Sequence, residues 1–484
     1  MRTFLLYRGI LLILLGMMGF HVKTIAQDSL EVYPKPIPSL PQQVTVNNIF
    51  VIGNEKTKKN IILRELSIES GVTYDWEELL SIIQADQKKI YNLMLFNTVE
   101  ITPLLTDTEL IEVLISVKER WYIIPSLIFQ LADRNLAEWW TNQNRDFSRV
   151  NIGAKLLHYN VAGRNEKLRV LAQTGFVQAY EIFYDKPYID RKQKHGLALQ
   201  TGYFTQKTLA VFSENNRQVF YRNENEETLR SNFSTALRYT YRGSFYNFHF
   251  LTLGFNSITI NNDVFQKNPN YFLHGENRLS YFQFGYSFRH DRRDNVSYAT
   301  EGQLLNIGIT KYGLGGFDDI NDAEITLNAN KYIRFGKKFH LATGVAASSF
   351  LRESQPYTLV RGLGYLPNFI RGYELNVVEG QQLVVHKSSF RFKLIDWSWE
   401  IGQYTRIEEF SYFPFKLFIS ANFDHGYVND KSKAAANAFL TNQYLMGYGL
   451  GLDIVTLHDS VFRFEYSLTN KKPGAFFINF RAPL

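Results

Sequence analysis

Three charged residues sit where charge is hard to place. Arg371 lies in the run Arg361-Gly-Leu-Gly-Tyr-Leu-Pro-Asn-Phe-Ile-Arg-Gly-Tyr-Glu374, whose glycines at 362, 364 and 372 and proline at 367 make it loop. Asp424 shares one side of an alternating segment with Ser420 and Asn422, opposite Ile419, Ala421 and Phe423. Glu465 likewise shares a side with Arg463 and Ser467, opposite Phe462, Phe464 and Tyr466. A carboxylate on the inner side of a sheet needs a partner, because an unpaired charge in a partly dry interior is costly. Arginine fits that role: it stays charged and offers a planar fork of donors. The expectation is that the loop folds inward and Arg371 meets Asp424, with Glu465 as second choice. Gly372 then permits the tight turn, Tyr373 packs on the wall, and Gly426 lies beside Asp424. The alternative is a solvated outer loop in which Arg371 contributes almost nothing.

Bond-making chemistry has weaker support. His290 adjoins Asp291, and His386 lies near Ser388, but neither makes a Ser-His-Asp set. The 484 residues include no cysteine, which excludes disulfides, thiolate metal sites and a cysteine nucleophile. No enzyme, cofactor or metal is expected. Phe 39 and Tyr 29 bring aromatics to 15%, charged residues make 20%, and a net charge of +7 is spread along the chain. That balance does not suit a nucleic-acid binder.

The elements that position these residues are alternating segments. Phe282, Phe284, Tyr286 and Phe288 face away from Gln283, Gly285, Ser287 and Arg289. Met446, Tyr448, Leu450 and Leu452 oppose Gly447, Gly449, Gly451 and Asp453, and Phe476, Ile478 and Phe480 oppose Phe477, Asn479 and Arg481. Aromatic-rich faces set against charged and glycine-rich faces fit a membrane barrel, apolar side outward and polar side lining the lumen. Phe282, Phe284, Phe462, Phe464, Ile478 and Phe480 are expected to face lipid, and Gln283, Arg463, Glu465 and Asn479 the lumen. Sixteen strands are expected, at about 121–133, 146–159, 166–176, 179–187, 195–206, 228–241, 245–258, 278–291, 302–312, 322–334, 338–351, 383–395, 415–427, 443–455, 460–469 and 474–482. An even number suits closure of an antiparallel sheet. Residues 207–227 hold either another pair or a long loop.

Before the barrel come three shorter regions. Residues 1–26 read as a signal peptide: Arg2 and Arg8 precede the apolar run Gly9–Phe20, and Thr24-Ile25-Ala26 offers a cleavage site. Residues 27–43 form a proline-rich leader. Residues 44–120 read as a small βααββ domain, with Asp75 and Glu78 forming a capping box on the second helix and Pro103 in the following strand. With that domain in the periplasm, the long connection 352–382 starts outside the cell.

The mature chain resembles the outer-membrane assembly-factor family, BamA/TamA-like and also called bacterial surface antigens. Arg371-Gly372-Tyr373 matches the family's Arg-Gly-Phe/Tyr tripeptide of the sixth external loop, and Phe423-Asp424-His425-Gly426 its Phe-Asp-x-Gly element on strand thirteen. Gly449-Leu-Gly-Leu-Asp453, Phe462-Arg-Phe-Glu-Tyr466 and Asp185-Lys-Pro-Tyr188 are similar to further family elements. The chain departs from the family in carrying one POTRA domain where assembly factors usually carry several. The resemblance implies a mainly β fold, a sixteen-stranded antiparallel transmembrane β-barrel at 121–484 after one POTRA domain, in the bacterial outer membrane. It implies insertion of outer-membrane proteins by backbone strand pairing, with outer-membrane lipids, unfolded outer-membrane or secreted polypeptides and accessory assembly subunits as partners. The candidate seam joins 121–133 to 474–482, with Pro125, Pro473, Gly474 and Phe480 weakening or closing it. Polypeptide secretion by the same superfamily is the alternative, and a passive channel a more distant one.

Overall fold

The computed structural model describes residues 41–131, 136–141, 144–316, 318–365, 368–400, 412–432, 438–456, 460–471 and 473–480. The expected signal peptide, all but the end of the leader, Pro367 and Arg481 lie outside the described residues.

The small domain consists of β1 (Gln43–Ile52), α1 (Lys59–Leu63), β2 (Thr73–Asp75), α2 (Trp76–Tyr91), β3 (Phe96–Leu105) and β4 (Leu110–Glu119). Its sheet runs β2-β1-β4-β3, with β1 parallel to β4. Leu79, Ile83 and Ile90 recur at helical spacing and bury one side of α2 against Val46, Ile111, Val113 and Ile115. Two local expectations need correction. A three-residue strand, β2, separates the two helices of the expected βααββ order. Asp75 occupies the N-cap position of α2 without a side-chain cap bond, because its carboxylate accepts instead from Gln43 Nε2 at 3.2 Å across the β1–β2 pair.

The barrel follows, in chain order: β5 (Ile123–Leu131), α3 (Leu136–Thr141), β6 (Val150–Val161), β7 (Glu166–Gly175), β8 (Val177–Lys186), β9 (His195–Gln206), β10 (Thr208–Glu214), β11 (Arg217–Arg222), β12 (Arg230–Arg242), β13 (Asn247–Ile260), α4 (Asn262–Lys267), β14 (Arg278–Asp291), β15 (Gly302–Tyr312), β16 (Asp322–Phe335), β17 (Phe339–Phe350), β18 (Arg361–Leu363), β19 (Val378–Gly380), β20 (Gln382–Glu400), β21 (Tyr412–Asn429), β22 (Tyr444–Thr456), β23 (Ser460–Thr469) and β24 (Ala475–Phe480). Sixteen of these form one antiparallel sheet running from β5 to β24, with β10–β11 and β18–β19 as separate hairpins. Residues 207–227 therefore hold a strand pair that stands outside the barrel wall. Asn215 and Asn216, both at positive φ, turn it; side chains of this type tolerate the left-handed region. β20 and β21 run past their expected ends at 395 and 415.

Alternation sorts the side chains as the sheet curls. Phe282, Phe284, Phe462 and Ile478 are exposed on the outer side, with Phe464 half-buried, while Arg463 and Glu465 are buried inside. Gln283 and Asn479 are half-buried, and Asn479 Nδ2 donates to Glu465 Oε2 at 3.2 Å. The side chain of Phe480 lies outside the described residues; its backbone pairs with Phe462.

The small domain seats on the strand connections at the end of the barrel where β5 begins, the proximal end. Arg242, closing β12, donates to both oxygens of buried Glu65 at 2.7 and 2.6 Å. Thr57 Oγ1 accepts from Asn160 Nδ2 at 2.8 Å, and Lys58 N–H donates to the Gly163 carbonyl at 2.9 Å. Asn92, at the C-cap of α2, donates to the Arg293 carbonyl at 2.8 Å and accepts from Val296 N–H at 3.2 Å.

Candidate functional site

The connection from β17 to β20 starts at the distal end and turns down into the lumen. Its apolar side chains take it there: Ile370 and Tyr373 are buried in one cluster with Leu363, Val378, Leu383, Val385, Val428 and Leu445. Arg371 lies between them and is fully buried. Its Nη1 stands 2.6 Å from Asp424 Oδ1, its Nε 2.7 Å from Glu465 Oε1, and its backbone N–H donates to Asp424 Oδ2 at 3.2 Å. The guanidinium thus bridges both carboxylates, where the sequence ranked one above the other. Charge-assisted bonds of this length are the strong class.

The backbone around Arg371 needs room. Gly372 has φ +88°, and a Cβ there would press on the Thr469 methyl at 2.3 Å. On β22, Gly447 lies directly across from Asp424, and a Cβ would stand 1.8 Å from the Arg371 carbonyl oxygen. Gly426 leaves space for Ile370 Cδ1, 3.1 Å from where its Cβ would be. Tyr373 packs on the wall, and its hydroxyl donates to Asn470 Oδ1 at 2.7 Å.

A second ion pair continues the first toward the proximal end. Arg463 donates from Nε and Nη2 to the two oxygens of Asp453 at 2.6 and 2.8 Å, and its Nε is 3.9 Å from Glu465. Asp453 also accepts from the Tyr298 hydroxyl at 2.7 Å. Tyr298 is buried and belongs to the proximal connection between β14 and β15, the same one held by Asn92. The backbone of 293–298 and these ion pairs thus link the small domain to the neighbourhood of Arg371. Tyr298 escaped the sequence reading; its only signal is an aromatic within the polar run Asp294-Asn-Val-Ser-Tyr-Ala-Thr300.

The distal end is covered by the β10–β11 hairpin. Asn216 at its turn is buried, exchanges bonds with the Val377 backbone at 2.9 and 3.1 Å, and accepts from Leu440 N–H at 2.8 Å. The Asn215-Asn216 pair was the available signal. Lys387, facing Asp424 across β20–β21, places Nζ 3.6 Å from the Phe369 ring centre.

The remaining sequence candidates fall elsewhere. Pro125 is exposed in β5, a strand laddered on one side, to β6. Pro473 and Gly474 precede β24. Among the described residues no ladder joins β5 to β24, so the two terminal strands are the edges of the sheet. His290 Nδ1 is 2.6 Å from Asn247 Oδ1 while Asp291 pairs with Arg293, and His386 Nε2 is 2.9 Å from Thr343 Oγ1.

Comparison with known proteins agrees with this architecture. The Omp85 superfamily domain matches residues 160–475, and the surface antigen variable number repeat, or POTRA, matches residues 44–120. CdiB from Escherichia coli is similar in fold, with 12% identity and a TM-score of 0.53 over 90% of this chain and 75% of that one. The structure of BamA from Haemophilus ducreyi lacking POTRA domains 1–3 aligns at 14% identity and a TM-score of 0.49, over 90% of this chain and 83% of that one. No protein of curated description matches the chain. With a match spanning more than half its length, over the barrel that holds the Arg371–Asp424–Glu465 bridge, this chain belongs to the Omp85 superfamily.

Proposed function

We propose that this protein inserts β-barrel proteins into the bacterial outer membrane, with its POTRA domain in the periplasm. The observation that carries this reading is the pair of sheet edges, β5 and β24, with no ladder between them among the described residues. Strands entering lipid need their backbone groups paired, and an edge offers those groups to an incoming strand. Among the described residues β24 pairs with β23 over six residues, from Ala475 to Phe480. Pro125 removes one amide donor from β5. In the POTRA domain β3 is likewise an edge, with Leu104 and Leu105 exposed, and serves as a first pairing site for an unfolded client. The partners on this reading are unfolded outer-membrane polypeptides, the surrounding lipids and accessory assembly subunits.

Secretion of a polypeptide through the lumen is the other activity considered for this superfamily. It fits less well, because the Arg371 loop enters the lumen from the distal side and the Tyr298 connection from the proximal side. Depletion of the protein, followed by quantification of unrelated outer-membrane barrels, separates the two. Broad loss of folded barrels supports insertion; loss of a single exported protein with barrels unchanged overturns it.

A further inference from the structure

The ladder between β20 and β21 continues where the rest of the sheet has ended. β17 follows β20 only to Phe339↔Phe392, and β22 follows β21 only from Lys416↔Val455, yet β20 and β21 stay paired to Glu400↔Tyr412. A register shift between Lys393 and Ile395 marks the departure, and such a bulge bends and twists the strands. Beyond it is a two-stranded ribbon with no third strand beside it among the described residues. A ribbon of that kind is marginal in water by itself, and membrane barrels usually keep this end's connections short.

Its side chains carry the outer face of the barrel onward. Phe415 and Phe413 continue the series Phe423, Ala421, Ile419 and Leu417, and they pair with Trp397 and Trp399. The Trp399 ring lies 6.0 Å from those of Trp397 and Phe413 and 6.1 Å from that of Phe415. Trp397 is 58% exposed and Trp399 45%. The opposite side of the ribbon bears Asp396, Ser398 and Lys416.

Depth follows from strand geometry. A rise of about 3.3 Å per residue at a tilt near 40° gives about 2.5 Å per residue along the membrane normal, so an apolar band of about 25 Å spans about ten residues. Counting from the distal aromatic rung, where Tyr427 pairs with Val384 and Tyr444, ten residues along β20 end at Leu394. Trp397 and Trp399 come next, in or just below the headgroup layer, where indoles concentrate. The adjoining turn carries one cation on the same side, Lys338, whose Nζ lies 5.9 Å from the Phe392 ring centre.

We propose that the Trp397–Trp399–Phe413–Phe415 face is a membrane-interface anchor, seated in the phospholipid headgroup layer of the leaflet on the POTRA side. Only β22 and β23 separate it from β24, so it fixes the barrel wall beside the free edge. The inference depends on the transmembrane barrel and stands apart from which polypeptide activity the protein has.

The cysteine-free chain allows a direct test. Single variants Trp397→Cys, Ser398→Cys and Trp399→Cys, labelled with an NBD fluorophore, are folded into vesicles of phosphatidylethanolamine and phosphatidylglycerol and selected by heat modifiability. Labels at 397 and 399 should emit blue-shifted light and be quenched at least twofold more by headgroup spin labels than the label at 398, which iodide should reach instead. Equal iodide access at all three positions overturns the anchor. So does shielding of 397 and 399 that appears only after a periplasmic extract is added, since the occupant is then a protein. If the tryptophan variants fold poorly, the milder Trp397→Phe/Trp399→Phe pair replaces them. It should lower the share of native tryptophan emission that headgroup spin labels quench, and an unchanged share overturns the proposal.

Discussion

The Arg371 site and the β5/β24 seam are two junctions of one barrel built on opposite principles. At the first, a loop is held by several independent contacts: two carboxylates, a glycine shelf on β22, a tyrosine on the wall and the Asn216 turn above. At the second, β5 and β24 are the two edges of the sheet, with no backbone ladder between them among the described residues. A buried charged junction is stable only when every partner is present. An edge keeps its hydrogen-bonding capacity only while it is left unpaired. Damage at the first should therefore appear in stability, and restraint at the second in activity.

The largest stability effect is expected from Arg371→Ala, which leaves Asp424 and Glu465 buried without their shared cation. A loss of about 3–5 kcal/mol follows from the usual cost of breaking a buried pair, read as denaturant-induced unfolding of the folded, heat-modifiable species. Asp424→Ala should cost less, since Glu465 still holds the guanidinium, and the double variant should fall short of the sum. Additive losses would mean that the two residues act separately. Gly447→Ala comes next, at about 1–3 kcal/mol, the range for forcing extra volume into a packed site; protease access to the 352–382 connection should rise with it. Tyr298→Phe removes one hydroxyl donor from Asp453 and should cost about 1 kcal/mol. Because Tyr298 is joined to the POTRA side through Asn92, this variant also asks whether the proximal connection loosens, as faster amide exchange over 292–301.

The sequence exposed the barrel because each strand carries its own evidence. Alternation such as Phe282-Gln-Phe-Gly-Tyr-Ser-Phe288 states which side is wet without reference to any other strand, so all sixteen segments lie near their expected places. Arg371 and Asp424 were legible as charges needing partners, and their residue types suggested the pairing. Contacts that exist only once the barrel closes were not legible. Glu65 and Arg242 are separated by 177 residues and Tyr298 and Asp453 by 155, and none of the four sits in a local pattern that names its mate. Glu465 was the second choice in the sequence, and burial of the guanidinium brings in both carboxylates. β20 and β21 extend past the expected bounds of 395 and 415, where Trp397 and Trp399 carry the alternation further.

The seam gives the sharpest test. A pair of cysteines, one chosen by scanning Leu127–Phe129 in β5 and the other Phe476–Ile478 in β24, can be oxidised on a chain with no other thiol. Insertion of an unfolded outer-membrane barrel into vesicles is then measured with the crosslink formed and after reduction. The account predicts a folded, heat-modifiable barrel whose insertion activity is lost on oxidation and restored by reductant. Full activity with the crosslink completely formed would contradict it.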